Sequence, residues 1–217
     1  MTKEFSKRII SSIILFPLAI FFIINGLLLF SFFLSFCFLI ASYEWHKMCK
    51  KKNYYLFGLI FLILSFYSSI KLYNFNNDFG YFLIILIICI STDIGGYIFG
   101  KVFKGPKITK ISPKKTYSGM IGGYVLSLLS LYIIIFPFFT FIKPFQITIE
   151  SIFFILSVST FSQAGDIIIS FFKRLSNIKD TGKVIPGHGG LLDRIDGMIF
   201  AFPFSYLILK FNLFQNF

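Results

Sequence analysis

The sequence predicts an all-α integral membrane protein of about seven transmembrane helices with its amino terminus in the cytoplasm. Three observations carry that prediction: an extreme apolar composition, apolar runs of bilayer length, and lysines gathered in alternate linkers. Of 217 residues, 56% are hydrophobic and 14% charged, and 33 are Phe, which is more apolar surface than a water-soluble fold can bury. A spanning helix needs about 20 mostly apolar residues, and several runs reach that length. The net charge of +12 would suit a nucleic-acid partner only if it covered one soluble face. Instead, Lys47, Lys50, Lys51 and Lys52 fall in one short linker and Lys101, Lys104, Lys107, Lys110, Lys114 and Lys115 in another. That is the charge bias of cytoplasmic loops, and no nucleic-acid partner is expected.

The first two spans come from one apolar stretch, Ile9 to Ser42, interrupted by Asn25-Gly26. At about 1.5 Å per residue it is too long for a single crossing, so a break at Asn25-Gly26 predicts helices near 9 to 25 and 27 to 45. Lys3, Lys7 and Arg8 precede it as they would in a secretory leader, but no small-residue cleavage site follows, so the first helix reads as an uncleaved span. Further apolar runs predict spans near 55 to 72, 79 to 99, 119 to 142, 150 to 170 and 196 to 213. With the amino terminus inside, linkers 46 to 54, 100 to 118 and 171 to 195 are cytoplasmic, and these are the basic ones. Residues 73 to 78 and 143 to 149 lie on the other side and are nearly neutral. Charge and hydropathy therefore agree on one orientation, with the carboxyl terminus outside. Cys37, Cys49 and Cys89 form no CxxC pair and receive no chemical role. With no internal repeat or appended soluble region, residues 1 to 217 read as a single polytopic membrane domain.

Polar chemistry is confined to a few places. Only nine residues are acidic, yet Asp166, Asp180, Asp193 and Asp196 fall within 31 consecutive positions. Asp166 lies near the cytoplasmic end of a span, where an ionised carboxylate is costly without a metal or cation beside it. Asp166, Ser170 and Lys173 share one helical face at i, i+4 and i+7. A purely structural Asp–Lys pair would explain that stretch alone, but the next segment asks for more. From Lys173 to Gly197 basic residues, carboxylates and glycines are mixed, as polyphosphate chemistry requires. Carboxylates hold Mg²⁺, which takes oxygen ligands and keeps waters while bridging phosphates, and Lys and Arg neutralise charge on a leaving group. Gly187, Gly189 and Gly190 would let backbone amides approach phosphate oxygens, with Pro186 fixing the turn and His188 either a donor among them or a plain turn residue. Asp193 and Asp196, three apart, would face the same way at the start of the last helix, where the helix dipole favours anions. Capping accounts for one of them only.

The other basic loop follows Asp93-Ile-Gly-Gly-Tyr at a span end and contains Ile111-Ser-Pro-Lys-Lys-Thr-Tyr-Ser-Gly, then Gly122-Gly123. Lys101, Lys104, Lys107 and Lys110 read as topology determinants. Ser112, Lys114, Lys115 and Thr116 stand directly before a span, where hydroxyl and ammonium donors could clasp a nucleotide or lipid phosphate. The pattern GxxxxGK[ST] is absent, so this is not a Walker loop.

Ser170-Phe-Phe-Lys-Arg, Lys179-Asp180 and Pro186-Gly-His-Gly-Gly-Leu-Leu-Asp-Arg-Ile-Asp196 resemble the C-terminal signature of the phosphatidate cytidylyltransferase (CDP-diglyceride synthase) family. Asp93-Ile-Gly-Gly-Tyr, Ile111-Ser-Pro-Lys-Lys-Thr with Gly119 and Gly122-Gly123, and Glu44-Trp45 extend the likeness over most of the chain. The resemblance implies N-terminal spans in residues 1 to 75 and a catalytic part from 79 to 217, with the signature at 170 to 196 and the active site at the cytoplasmic boundary of the inner membrane. It implies Mg²⁺-dependent conversion of CTP and phosphatidate to CDP-diacylglycerol and pyrophosphate, membrane lipid as a partner, and a homodimer. Carried over by position, Asp166 and Asp193 would bind the metal in a two-cation site, and Asp196 with Lys173 would form the charge pair that orients it. Ser112, Lys114, Thr116, Ser170, Arg174, Lys179, His188, Gly189, Gly190 and Arg194 would hold substrate. The chain departs from the family in being shorter than many members and in having Lys115-Thr116-Tyr117 where Gly-Lys-Thr-Trp is common. Two other readings accommodate the same features. One is a CTP-dependent polyprenol kinase or another lipid cytidylyltransferase. The second, of a different class, is an anionic-solute transporter, which leaves the acids gathered beside glycines in one loop unexplained.

Overall fold

The structure, a computed structural model, describes residues 3–50, 52–77, 79–109, 112, 115–130, 132, 148–187 and 189–213. Among them the chain is helical, with two isolated β-bridges (Lys107 with Thr116, Ile185 with Gly189) and no strand. The helices are α1 (Lys3–Ile24), α2 (Leu27–Cys49), α3 (Tyr55–Tyr73), α4 (Gly80–Phe103), α5 (Tyr117–Ser130), α6 (Ile149–Leu175), α7 (Leu192–Ile195) and α8 (Met198–Lys210). Of these, α2, α3, α4 and α6 are long and apolar enough to cross a membrane. Ile13–Ile24 within α1 and Met198–Lys210 are shorter apolar helices. The fifth expected span, 119 to 142, is represented by α5, and its later part lies outside the described residues.

Local chemistry sets the boundaries. The break after α1 falls at Asn25-Gly26 as anticipated: Gly26 has φ 100°, a conformation that glycine adopts without steric cost, and the Asn25 amide donates to the Phe21 carbonyl at 2.7 Å. Thr148 caps α6 in a reciprocal box with Ser151, satisfying amides that the first helical turn leaves open. Lys173 and Arg174 stand in the last turn of α6, where the helix dipole favours cations. The last long helix starts at Met198, with Asp196 ahead of it, because the one-turn helix α7 is interposed.

Two apolar clusters hold the bundle together, one at each end. The first joins Phe30 of α2, Leu72 and Tyr73 of α3, Phe82 and Ile85 of α4, Phe154 of α6 and Ile208 of α8. Within it the Tyr73 hydroxyl donates to the Ile23 carbonyl at 2.7 Å, tying α3 to the end of α1. The second joins Trp45 and Cys49 at the end of α2 with Leu62 of α3, Ile169 and Phe172 near the end of α6, Leu192 of α7 and Ile199 of α8. The Trp45 indole donates to the Tyr55 carbonyl at 2.9 Å. Large apolar side chains such as Leu28, Phe32, Leu56 and Ile121 point outward, which suits a lipid solvent. Helix ends thus alternate: the ends of α2 and α6 and the start of α8 share one end of the bundle, while the ends of α1, α3 and α8 share the other.

Candidate active site

Charge collects at the Trp45 end of the bundle. Helix α6 carries Asp166, Ser170 and Lys173 along one face, as their spacing requires. The Ser170 hydroxyl donates to Asp166 Oδ1 at 3.3 Å, and the Lys115 ammonium, arriving from the segment before α5, lies 2.5 Å from Asp166 Oδ2. Lys115 also reaches the Gln163 carbonyl at 3.5 Å. One turn further along α6, Lys173 is buried. Its ammonium donates to Asp193 Oδ1 at 3.0 Å and lies 3.8 Å from Asp196 Oδ2. The expected Lys173–Asp196 pair is therefore the longer of two contacts. Asp193 is the nearer partner, since it heads toward α6 from the first turn of α7.

The glycine loop is closed by hydrogen bonds of its own. The amides of Thr181 and Gly190 donate to Asp193 Oδ2 at 2.9 and 3.1 Å, and the Gly189 amide donates to the Ile185 carbonyl at 3.2 Å. Both amides thus have partners within the loop, and the bridge between Ile185 and Gly189 closes the turn. Gly187 and Gly189 have φ of 78° and 92°, so their glycine identity serves the turn itself.

Other expected contacts have structural partners too. Thr116 stands at the N-cap of α5, where its Oγ1 accepts the Gly119 amide at 3.2 Å and neighbours Ser118 Oγ at 2.9 Å. That hydrogen bond caps the first turn of α5. Arg174 donates to the Ile178 carbonyl at 3.1 Å, closing the end of α6. The Ser112 amide and carbonyl form a turn with Thr109 and Lys115. Lys179 and Arg194 are exposed on the rim of the loop, and Arg194 lies close enough to Asp93 of α4 to act on its charge. Lys114 and His188 fall outside the described residues.

Asp196, ahead of α8, is 8% exposed. Burial drives its carboxyl well above the ordinary aspartate range; Asp166 pushes the same way, Lys173 pulls back, and Asp93 adds a further upward push. Negative charge is thus crowded where α4, α6 and α8 meet. Among the described residues no group of three or more His, Cys, Asp or Glu side chains could hold a metal ion by itself.

Two more residues complete this arrangement. Lys115, one of the donors expected directly before the span, faces Asp166. Glu44, at the end of α2, accepts hydrogen bonds from the loop that carries Asp193. A lone glutamate inside an apolar span is the available signal for Glu44, which the expected site did not include.

Carboxylates paired with ammonium groups gather at one end of an apolar helix bundle. The chain matches the model of the cytidylyltransferase family over residues 53–212; it belongs to that family and is a nucleotidyltransferase. It is 39% identical over 172 residues to a phosphatidate cytidylyltransferase of Rickettsia prowazekii, covering 76% of this chain and 74% of that one. To the protein of that name from Rickettsia felis it is 36% identical over 208 residues, 93% of this chain and 90% of the other. To that of Bacillus subtilis it is 34% identical over 153 residues, 69% and 55% respectively.

Proposed function

We propose that this chain transfers the cytidylyl group of CTP to phosphatidate, forming CDP-diacylglycerol and pyrophosphate at the cytoplasmic face of the membrane. The observation that supports this reading is the meeting of two cation–carboxylate pairs, Lys115–Asp166 and Lys173–Asp193, at one end of the bundle in a chain with such relatives. A phosphatidate oxygen attacks the α-phosphorus of CTP, and the bond from that phosphorus to the oxygen bridging to the β-phosphorus breaks. Pyrophosphate departs with the electron pair. The protein's task in phosphoryl-type transfer is positioning and charge stabilisation. Lys173, fixed by Asp193 and Asp196, supplies a pre-set positive charge beside the reacting phosphates. Lys115, Lys179 and Arg194 add further positive charge.

The acidic set suits Mg²⁺, which usually takes one or two carboxylates and completes its shell with waters and substrate phosphates. Asp166 is the fitting ligand, because its carboxylate is 30% exposed and the Lys115 ammonium already stands where a cation would sit. Asp193 is the second acid that would hold the ion. When bound, the ion neutralises the phosphates and polarises the α-phosphorus. Seven crossings, the amino terminus inside and a location in the inner membrane complete the proposal, supported by basic linkers at the site end.

The test is purified protein with CTP, Mg²⁺ and phosphatidate, reading pyrophosphate and the liponucleotide. Asp193→Asn is expected to lower turnover about a hundredfold or more while the protein still inserts in the membrane; turnover near the parent value refutes the assignment. Release of CDP in place of pyrophosphate would mark a kinase.

A further inference from the structure

Glu44 is the most deeply buried acid described, 1% exposed at the end of α2. A buried carboxylate is tolerated only when hydrogen-bonded, and its donors come from far along the chain. The Thr181 hydroxyl and the Leu192 amide donate to Oε2 at 2.9 and 2.8 Å, and the Leu191 amide donates to Oε1 at 3.0 Å. The loop is built around this side chain. A Cβ on Gly190 would lie 2.8 Å from Glu44 Oε1, and one on Gly182 would lie 2.9 Å from its Cδ, so neither position admits a side chain while Glu44 is in place.

The same short stretch also holds Asp193. Thr181 gives its hydroxyl to Glu44 and its amide to Asp193. Gly190 gives its amide to Asp193, while the next two amides go to Glu44. The two carboxylates therefore share the donors of one loop, and Asp193 follows directly on Leu192. We propose that Glu44 is a positioning residue for cytidylyl transfer: it clamps residues 181 and 190–192 and thereby sets where the Asp193 carboxylate stands. The inference rests on Asp193 working in the reaction proposed above. Glu44 precedes the segment matched by the family model, so α2 acts in this role as part of the catalytic architecture as well as an anchor.

Glu44→Gln is the direct test in the full-length protein reconstituted in lipid. Either orientation of the new amide turns an NH₂ toward a backbone N–H, so at least one of Leu191 and Leu192 loses its acceptor. The expected result is a fall in kcat of about tenfold or more, with KM for CTP within about threefold. Hydrogen exchange should quicken at residues 181–193 and stay at the parent rate in α3 and α6. Thr181→Val, which removes one donor and leaves the charge, should act in the same direction more weakly and serves if the glutamine variant does not fold. The idea is overturned if kcat stays within twofold in the variant that folds, or if exchange quickens throughout the bundle, as a general loss of stability would produce. Loss of turnover in Asp193→Asn with none in Glu44→Gln sinks the positioning role alone. A parent protein that makes no liponucleotide sinks the functional reading, and loop exchange in Glu44→Gln still decides whether Glu44 clamps Asp193.

Discussion

Lys173 and Lys115 are both ammonium groups beside a carboxylate, yet burial gives them different duties. Lys173 is 11% exposed and faces two buried acids, whereas Lys115 and Asp166 are 22% and 30% exposed. Removing one partner of a buried ionic group leaves uncompensated charge and costs about 3–5 kcal/mol, while a partly exposed pair is worth about 1 kcal/mol or less. Lys173→Met should therefore lower thermal stability in detergent far more than Lys115→Met. Equal melting temperatures would show that the two sites share one environment. Activity should fall in both, since each faces a carboxylate of the site. The helical face of Asp166, Ser170 and Lys173 was legible from spacing alone. Which acid Lys173 meets was not, because that depends on where the loop from 176 to 191 returns.

At the scale of elements, the glycines of α4 and α5 carry the placement of Lys115. Their backbones approach closely: a Cβ on Gly119 would lie 2.7 Å from the Gly96 carbonyl oxygen, and one on Gly95 would lie 2.7 Å from the Gly122 carbonyl carbon. Small residues at helix crossings permit such contact in a membrane, where packing replaces the hydrophobic drive. Gly119→Leu should force α5 away from α4 and carry the preceding Lys115 from Asp166. The expected result is lost turnover together with faster proteolysis or exchange in residues 104–118, measured on protein that still inserts; intact turnover would show that the crossing tolerates bulk. In sequence these glycines fall within two separate expected spans, and their use as a helix contact emerges only when Gly95 and Gly96 meet Gly119 and Gly122 across the bundle. The glycines at 182 and 190 likewise leave room for a carboxylate that arrives from another helix, Glu44.

For the whole molecule, every basic linker leads to the end of the bundle that holds the site. Single cysteines replacing Lys52 and Lys179, both exposed, in a chain whose native cysteines are changed to serine, should react with an impermeant maleimide only from the cytoplasmic side. One replacing Asn76, exposed at the opposite end, should react only from outside. Labelling of all three from one side would overturn the orientation.

The sequence by itself determined that this is an apolar helical bundle, where its main breaks fall, and that acids and bases concentrate around residues 166 to 196. Those are local properties, set by composition, period and charge. The tertiary structure alone decided which cation meets which carboxylate, that Glu44 grips the loop from a helix more than a hundred residues away, and that Gly189 and Gly190 spend their amides internally. A buried polar group must find a partner wherever the fold brings one, and sequence order carries no record of that distance.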